Sequence, residues 1–271
     1  MLHSEWLQFT DGGKSYKIYI SRMAKAKAPL PVVMVIQELW GTDAHILDVA
    51  DRLAKAGYLA VAPDLYAENG KRPEVLKEDR IEEVKAFLDT LPSTSWHDPE
   101  KREQALQLLP ARKQEEIEAT FRELFGRLKK LPESLEILQA TFAYLQHAEL
   151  SHGQKVASIG YCMGGALSVM LACTESRLSG AAVYYGNLPN KEQLQEIQCP
   201  VMGFFGSLDE RITSQVPDFA EGMQKAGKAF SYKIYEGALH AFFNDTRASY
   251  HAAASRDAWS ATLGFFHEVL D

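Results

Sequence analysis

Five short runs in this chain are apolar at most or all positions: Val32–Ile36, Tyr58–Ala62, Lys155–Ile159, Ala181–Tyr185 and Val201–Phe205. A strand with one wet face alternates apolar and polar residues. A strand that is apolar throughout has both faces covered, the condition inside a parallel sheet layered between helices. Helix-like stretches separate the runs, at Ala44–Ala56, Gly164–Cys173, Ser214–Ala226 and Arg247–Leu270. The alternation predicts an α/β fold with a mostly parallel central sheet flanked by helices. Phe230–Tyr235 supplies a further strand, and Asp11-Gly12-Gly13 reads as a hairpin turn joining Glu5–Thr10 to Tyr16–Ile20. A length of 271 residues fits a single domain over 1–271.

One segment breaks the rhythm. Residues 71–136 hold 28 charged residues out of 66, against 37 in the other 205. The segment has no strand-like run and reads as amphipathic helices broken near Pro92, Pro99, Pro110 and Pro132. Two readings stand side by side: a solvated helical insertion at the sheet edge, or a lid over an active site.

A formal charge of −7 and a pI near 5.7 argue against a nucleic-acid or anionic-membrane partner, both of which call for a basic face. No apolar run approaches the ~18–20 residues that span a bilayer, and the N-terminus lacks a signal-peptide pattern. The cysteines Cys162, Cys173 and Cys199 are too few and scattered for a disulfide framework. The expectation is a cytoplasmic monomer with free thiols and a small-molecule substrate. His3, His45, His97, His147, His152, His251 and His267 show no ligand-like spacing, so no metal and no cofactor are expected.

The chemistry is concentrated at Gly160-Tyr161-Cys162-Met163-Gly164-Gly165, which leaves an apolar strand and opens a helix. Gly-x-nucleophile-x-Gly is the pattern of a nucleophile elbow. A sharp strand-to-helix turn lifts the side chain above the sheet, and small neighbours let the backbones close up. The helix N-terminus favours thiolate, and the amide of Met163 is placed to meet a developing oxyanion. The alternative is a buried structural thiol beside an ordinary glycine turn. Two later positions weigh against it. Asp209 follows the strand ending Phe204-Phe205-Gly206, and His240 lies in the loop after Phe230–Tyr235. Nucleophile, acid, histidine is the chain order of α/β-hydrolases. In that reading His240 takes and returns the proton, and Asp209 orients the imidazole and stabilises its cation. A binding protein on the same scaffold has no need of all three groups. A thiol redox enzyme would need a resolving cysteine near Cys162, and none is near in sequence.

With these pieces in place the chain resembles the dienelactone hydrolase (carboxymethylenebutenolidase-like) family of the α/β-hydrolase superfamily. The resemblance is carried by Gln37-Glu38-Leu39-Trp40-Gly41, Ala62-Pro63-Asp64-Leu65-Tyr66-Ala67, the elbow, Tyr184-Tyr185-Gly186, Gly206-Ser207-Leu208-Asp209 and Tyr235-Glu236-Gly237-Ala238-Leu239-His240-Ala241-Phe242. It implies a Cys162–His240–Asp209 triad that cleaves a small lactone or carboxylic ester through an acyl-enzyme. It also implies that Glu38 contacts the resting thiol and shifts when substrate binds, a carboxylate there opposing thiolate formation. Leu39 would give the second oxyanion amide, and Trp40 would line the pocket or join the core. The family carries an arginine four residues after the histidine to grip a substrate carboxylate. Here that position is Asn244, so weak carboxylate recognition is expected unless Arg80 or Arg72 supplies the charge.

Overall fold

The computed structural model describes residues 1–27, 29–91 and 98–271. One eight-stranded sheet runs through the molecule in the order β1-β2-β4-β3-β5-β6-β7-β8. Its strands are β1 (Leu2–Asp11), β2 (Lys14–Met23), β3 (Val32–Ile36), β4 (Leu59–Pro63), β5 (Val156–Tyr161), β6 (Gly180–Tyr184), β7 (Val201–Gly206) and β8 (Phe230–Tyr235). β1 and β2 form an antiparallel hairpin, β2 meets β4 antiparallel, and every remaining pairing is parallel. The hairpin turns on Gly12 and Gly13, both at positive φ, which glycine reaches without a Cβ clash.

β3, β4, β5 and β6 are buried along their whole length, as near-continuous apolar runs require. Helices cover both faces: α1 (Ala44–Lys55), α2 (Glu78–Asp89), α3 (Pro99–Leu106), α4 (Ala111–Arg127), α5 (Leu131–Leu145), α6 (Met163–Thr174), α7 (Glu210–Thr213), α8 (Val216–Lys225) and α9 (Ala252–Leu270). Two apolar clusters fill the two sides of the sheet. No helix among the described residues is long and apolar enough to cross a membrane.

The charged segment 71–136 folds as a 3-10 turn at Glu74–Leu76, then α2, α3, α4 and the first residues of α5. Three of its prolines start helices: Pro99 opens α3, Pro110 caps α4, and Pro132 lies in the first turn of α5. Pro92 and His97 lie outside the described residues. The segment is no detached appendage. Leu76, Ile81, Val84, Leu88, Ile117 and Leu124 belong to the main apolar cluster. Two helices differ from expectation. Ser214–Ala226 is helical only from Val216, because Pro217 restarts the helix after α7. Arg247–Leu270 is helical only from Ala252: His251 takes an extended backbone and its ring accepts from the Ala254 N–H, so it caps the helix.

Candidate active site

Cys162 stands between β5 and α6 with φ 54° and ψ −114°, a conformation L-residues rarely adopt. Its neighbours make that turn possible. A Cβ on Gly160 would overlap the Gly164 carbonyl, and one on Gly165 would reach 2.7 Å from the Tyr184 carbonyl oxygen. A Cβ on Gly164 would run into the carbonyls of Ile36 and Gln37, so the first turn of α6 lies directly against the chain leaving β3. That contact brings the Leu39 loop to the Met163 end of α6. Neither the Leu39 nor the Met163 amide donates to a backbone acceptor among the described residues. The Leu39 carbonyl is tied down instead, accepting from the Tyr66 hydroxyl at 2.6 Å.

The loops after β7 and β8 are stitched together. The Leu208 N–H donates to the Ala238 carbonyl at 3.0 Å, and the Gly237 N–H donates to Ser207 Oγ at 2.9 Å. The stitching brings Asp209 to His240, with Oδ2 2.5 Å from Nδ1. Asp209 begins α7, yet its carboxylate caps nothing there, leaving it for the imidazole. His240 also lies within interaction range of Cys162. Burial alone would lower its pKa. The Cys162 sulfur and the Asp209 carboxylate outweigh burial and raise it to about 10. Both neighbours favour the protonated imidazole.

The dienelactone hydrolase family model covers residues 18–270. The chain belongs to the dienelactone hydrolase family. A relative from Saccharolobus solfataricus, named "Putative carboxymethylenebutenolidase", is 35% identical over 91% of this chain and 93% of its own. A relative of the same name from Synechocystis is 30% identical over 89% of this chain and 87% of its own. The dienelactone hydrolase of Anabaena variabilis shares the fold, with a TM-score of 0.66 at 14% identity, covering 100% of this chain and 99% of that one.

Against the family expectation, Glu38 makes no hydrogen bond to Cys162 among the described residues. The Tyr185 hydroxyl donates to Oε1 at 3.0 Å and the Asn244 amide donates to Oε2 at 2.8 Å. Asn244 is fully buried, with its amide turned to Glu38. Arg80 is also drawn elsewhere: it donates to the Glu116 carbonyl at 2.5 Å and pairs with the Glu116 carboxylate, linking α2 to α4. Arg72 grips Asp64 through Nε and Thr42 through Nη2 at 2.6 Å, bracing the turn at Gly41. Trp40 joins the main apolar cluster, with Arg247 5.3 Å and Lys85 5.9 Å from its ring.

Sequence reasoning gave Tyr185 no role. The signal in the sequence was its place one residue past the apolar run that forms β6; the structure adds a positive φ of 41° there. Cys173 and Cys199 sit against the core, and burial pushes their thiols up to about 11 and about 12, away from nucleophilic chemistry.

Proposed function

We propose that this chain hydrolyses a small lactone or carboxylic ester by a Cys162–His240–Asp209 triad through an acyl-enzyme. The observation that carries the reading is the 2.5 Å His240–Asp209 pair, delivered by two stitched loops to the cysteine of a strained elbow. Cys162 attacks the carbonyl, and the amides of Leu39 and Met163 receive the oxyanion. His240 protonates the leaving alkoxide, then takes a proton from the water that cleaves the acyl-enzyme. Asp209 stabilises the imidazolium throughout.

Iodoacetamide tests the nucleophile. One equivalent bound at Cys162 is expected to abolish p-nitrophenyl acetate turnover in proportion to labelling, with the modified peptide read by mass spectrometry. Full turnover by labelled enzyme overturns the reading.

A second expectation concerns charge. Asn244, Arg72 and Arg80 are all engaged with protein groups, so none stands ready to grip a carboxylate. Neutral substrates should do nearly as well as anionic ones. For a matched pair of lactones differing only by a carboxylate, kcat/KM should agree within about tenfold, or about 1.4 kcal/mol. A hundredfold preference for the carboxylated member would show that another cation serves that purpose.

A further inference from the structure

The Glu38 carboxylate is 3% exposed, and each of its oxygens is taken by a neutral donor. Those donors come from different places: Tyr185 from the end of β6, Asn244 from the loop that also carries His240. The orientation of the Asn244 amide is fixed, because its oxygen accepts from the Thr246 N–H at 3.0 Å and the Thr246 hydroxyl at 2.7 Å. Its NH₂ must then face Glu38. The segment itself is anchored. Phe242 and Phe243 are buried on one side, and Asp245 pairs with Arg52 of α1 at 2.6 Å on the other. Tyr185 remains a hydroxyl donor, since burial first and the Glu38 charge second push its pKa well above the ordinary value. The same tyrosine feels the charge of Cys162, which places sulfur and carboxylate in one neighbourhood.

We infer that Asn244 and Tyr185 are positioning residues that hold the Glu38 carboxylate off the Cys162 sulfur and so leave the sulfur to His240. The inference rests on the reading of Cys162 as nucleophile. A buried carboxylate stripped of a donor seeks another, and the Cys162 S–H is a donor in its neighbourhood. Bonding it would stabilise the protonated thiol and set a negative charge against the thiolate. The clamp thus keeps the resting sulfur reactive. In this family member an asparagine four residues after the catalytic histidine acts on the glutamate and not on the substrate.

The titratable groups around this carboxylate are Tyr185 and Tyr161 from the strand ends and Cys162 at the elbow. His240 and Asp209 lie beyond the sulfur, and Arg52, His45 and Asp245 lie on the α1 side. The experiment follows iodoacetamide labelling of Cys162 against pH in the full chain, with Asn244→Leu and Tyr185→Phe made alone and on a Glu38→Gln background. Each single variant should move the labelling profile to higher pH and slow labelling about tenfold near neutrality. On the Glu38→Gln background the same substitutions should change the rate less than twofold. An unmoved profile in the single variants overturns the clamp. So does equal slowing with and without the Glu38 charge, which would mark a structural effect alone. Should Asn244→Leu fail to fold, Tyr185→Phe, which loses one oxygen atom, decides the question. Turnover by fully labelled enzyme sinks the nucleophile reading separately, whatever the labelling profiles show.

Discussion

Cys162→Ala is expected to lower kcat by about 10³ or more while leaving the fold intact, because the nucleophile is lost and nothing else in the site can form the acyl bond. That loss is about 4 kcal/mol or more of transition-state stabilisation. The elbow backbone at φ 54° is strained for cysteine and alanine alike, so alanine adds no new strain. Cys162→Gly gives an internal control. Glycine adopts this conformation without the Cβ clash, so the glycine variant should be equally inactive and more stable than the alanine variant by about 1 kcal/mol. Steady-state ester turnover and denaturant melts of the pair separate chemistry from folding. Residual turnover above about 1% of wild type in either variant would rule out the cysteine mechanism.

Asp209→Asn is expected to lower kcat by about 10³–10⁴. The carboxylate helps hold the His240 proton to about pH 10, and a neutral amide cannot support an imidazolium. An asparagine NH₂ facing Nδ1 also selects the tautomer whose Nε2–H points the wrong way for accepting a proton. The pH dependence follows from the sign of the shift. With a pKa raised above its unfolded value, the charged His240 contributes stability fully below the ordinary histidine range, and that contribution fades as pH climbs towards about 10. Removing the Asp209 charge should lower the imidazole pKa, so Cys162 labelling near neutrality slows and the alkaline loss of stability begins at lower pH. The fold itself should hold, since the Asp209 side chain caps no helix. NMR titration of His240 together with kcat checks both halves. An unchanged imidazole titration in the variant would refute this assignment of Asp209.

The sequence by itself determined the layout. Val32–Ile36 and Phe230–Tyr235 coincide with β3 and β8, and the other strands fall within a residue or two at most ends, β1 and β2 running longer. For β3 to β6 the reason is that runs this apolar are stable only with both faces covered, whereas the edge strand β8 is mostly exposed and was legible from its aromatic and β-branched residues. Helix ends were less legible where one residue decides them. His251 caps α9 with its ring, and Pro217 restarts α8, and neither act shows in periodicity. The three residues of the proposed triad could be nominated from sequence because each follows a strand, and parallel strands deliver their C-terminal ends to one edge of the sheet.

Tertiary structure alone decided what those residues touch. Asn244 lies 206 positions from Glu38 in the chain, and Tyr185 lies 147 away. No local spacing encodes such contacts. They arise because β3, β5 and β6 are neighbours in the sheet and the loop after β8 folds back over their ends. Arg72 and Arg80 looked like candidates for substrate recognition for the same reason. A charged side chain's partner is chosen by packing, and here Asp64 and Glu116 reach those guanidinium groups first.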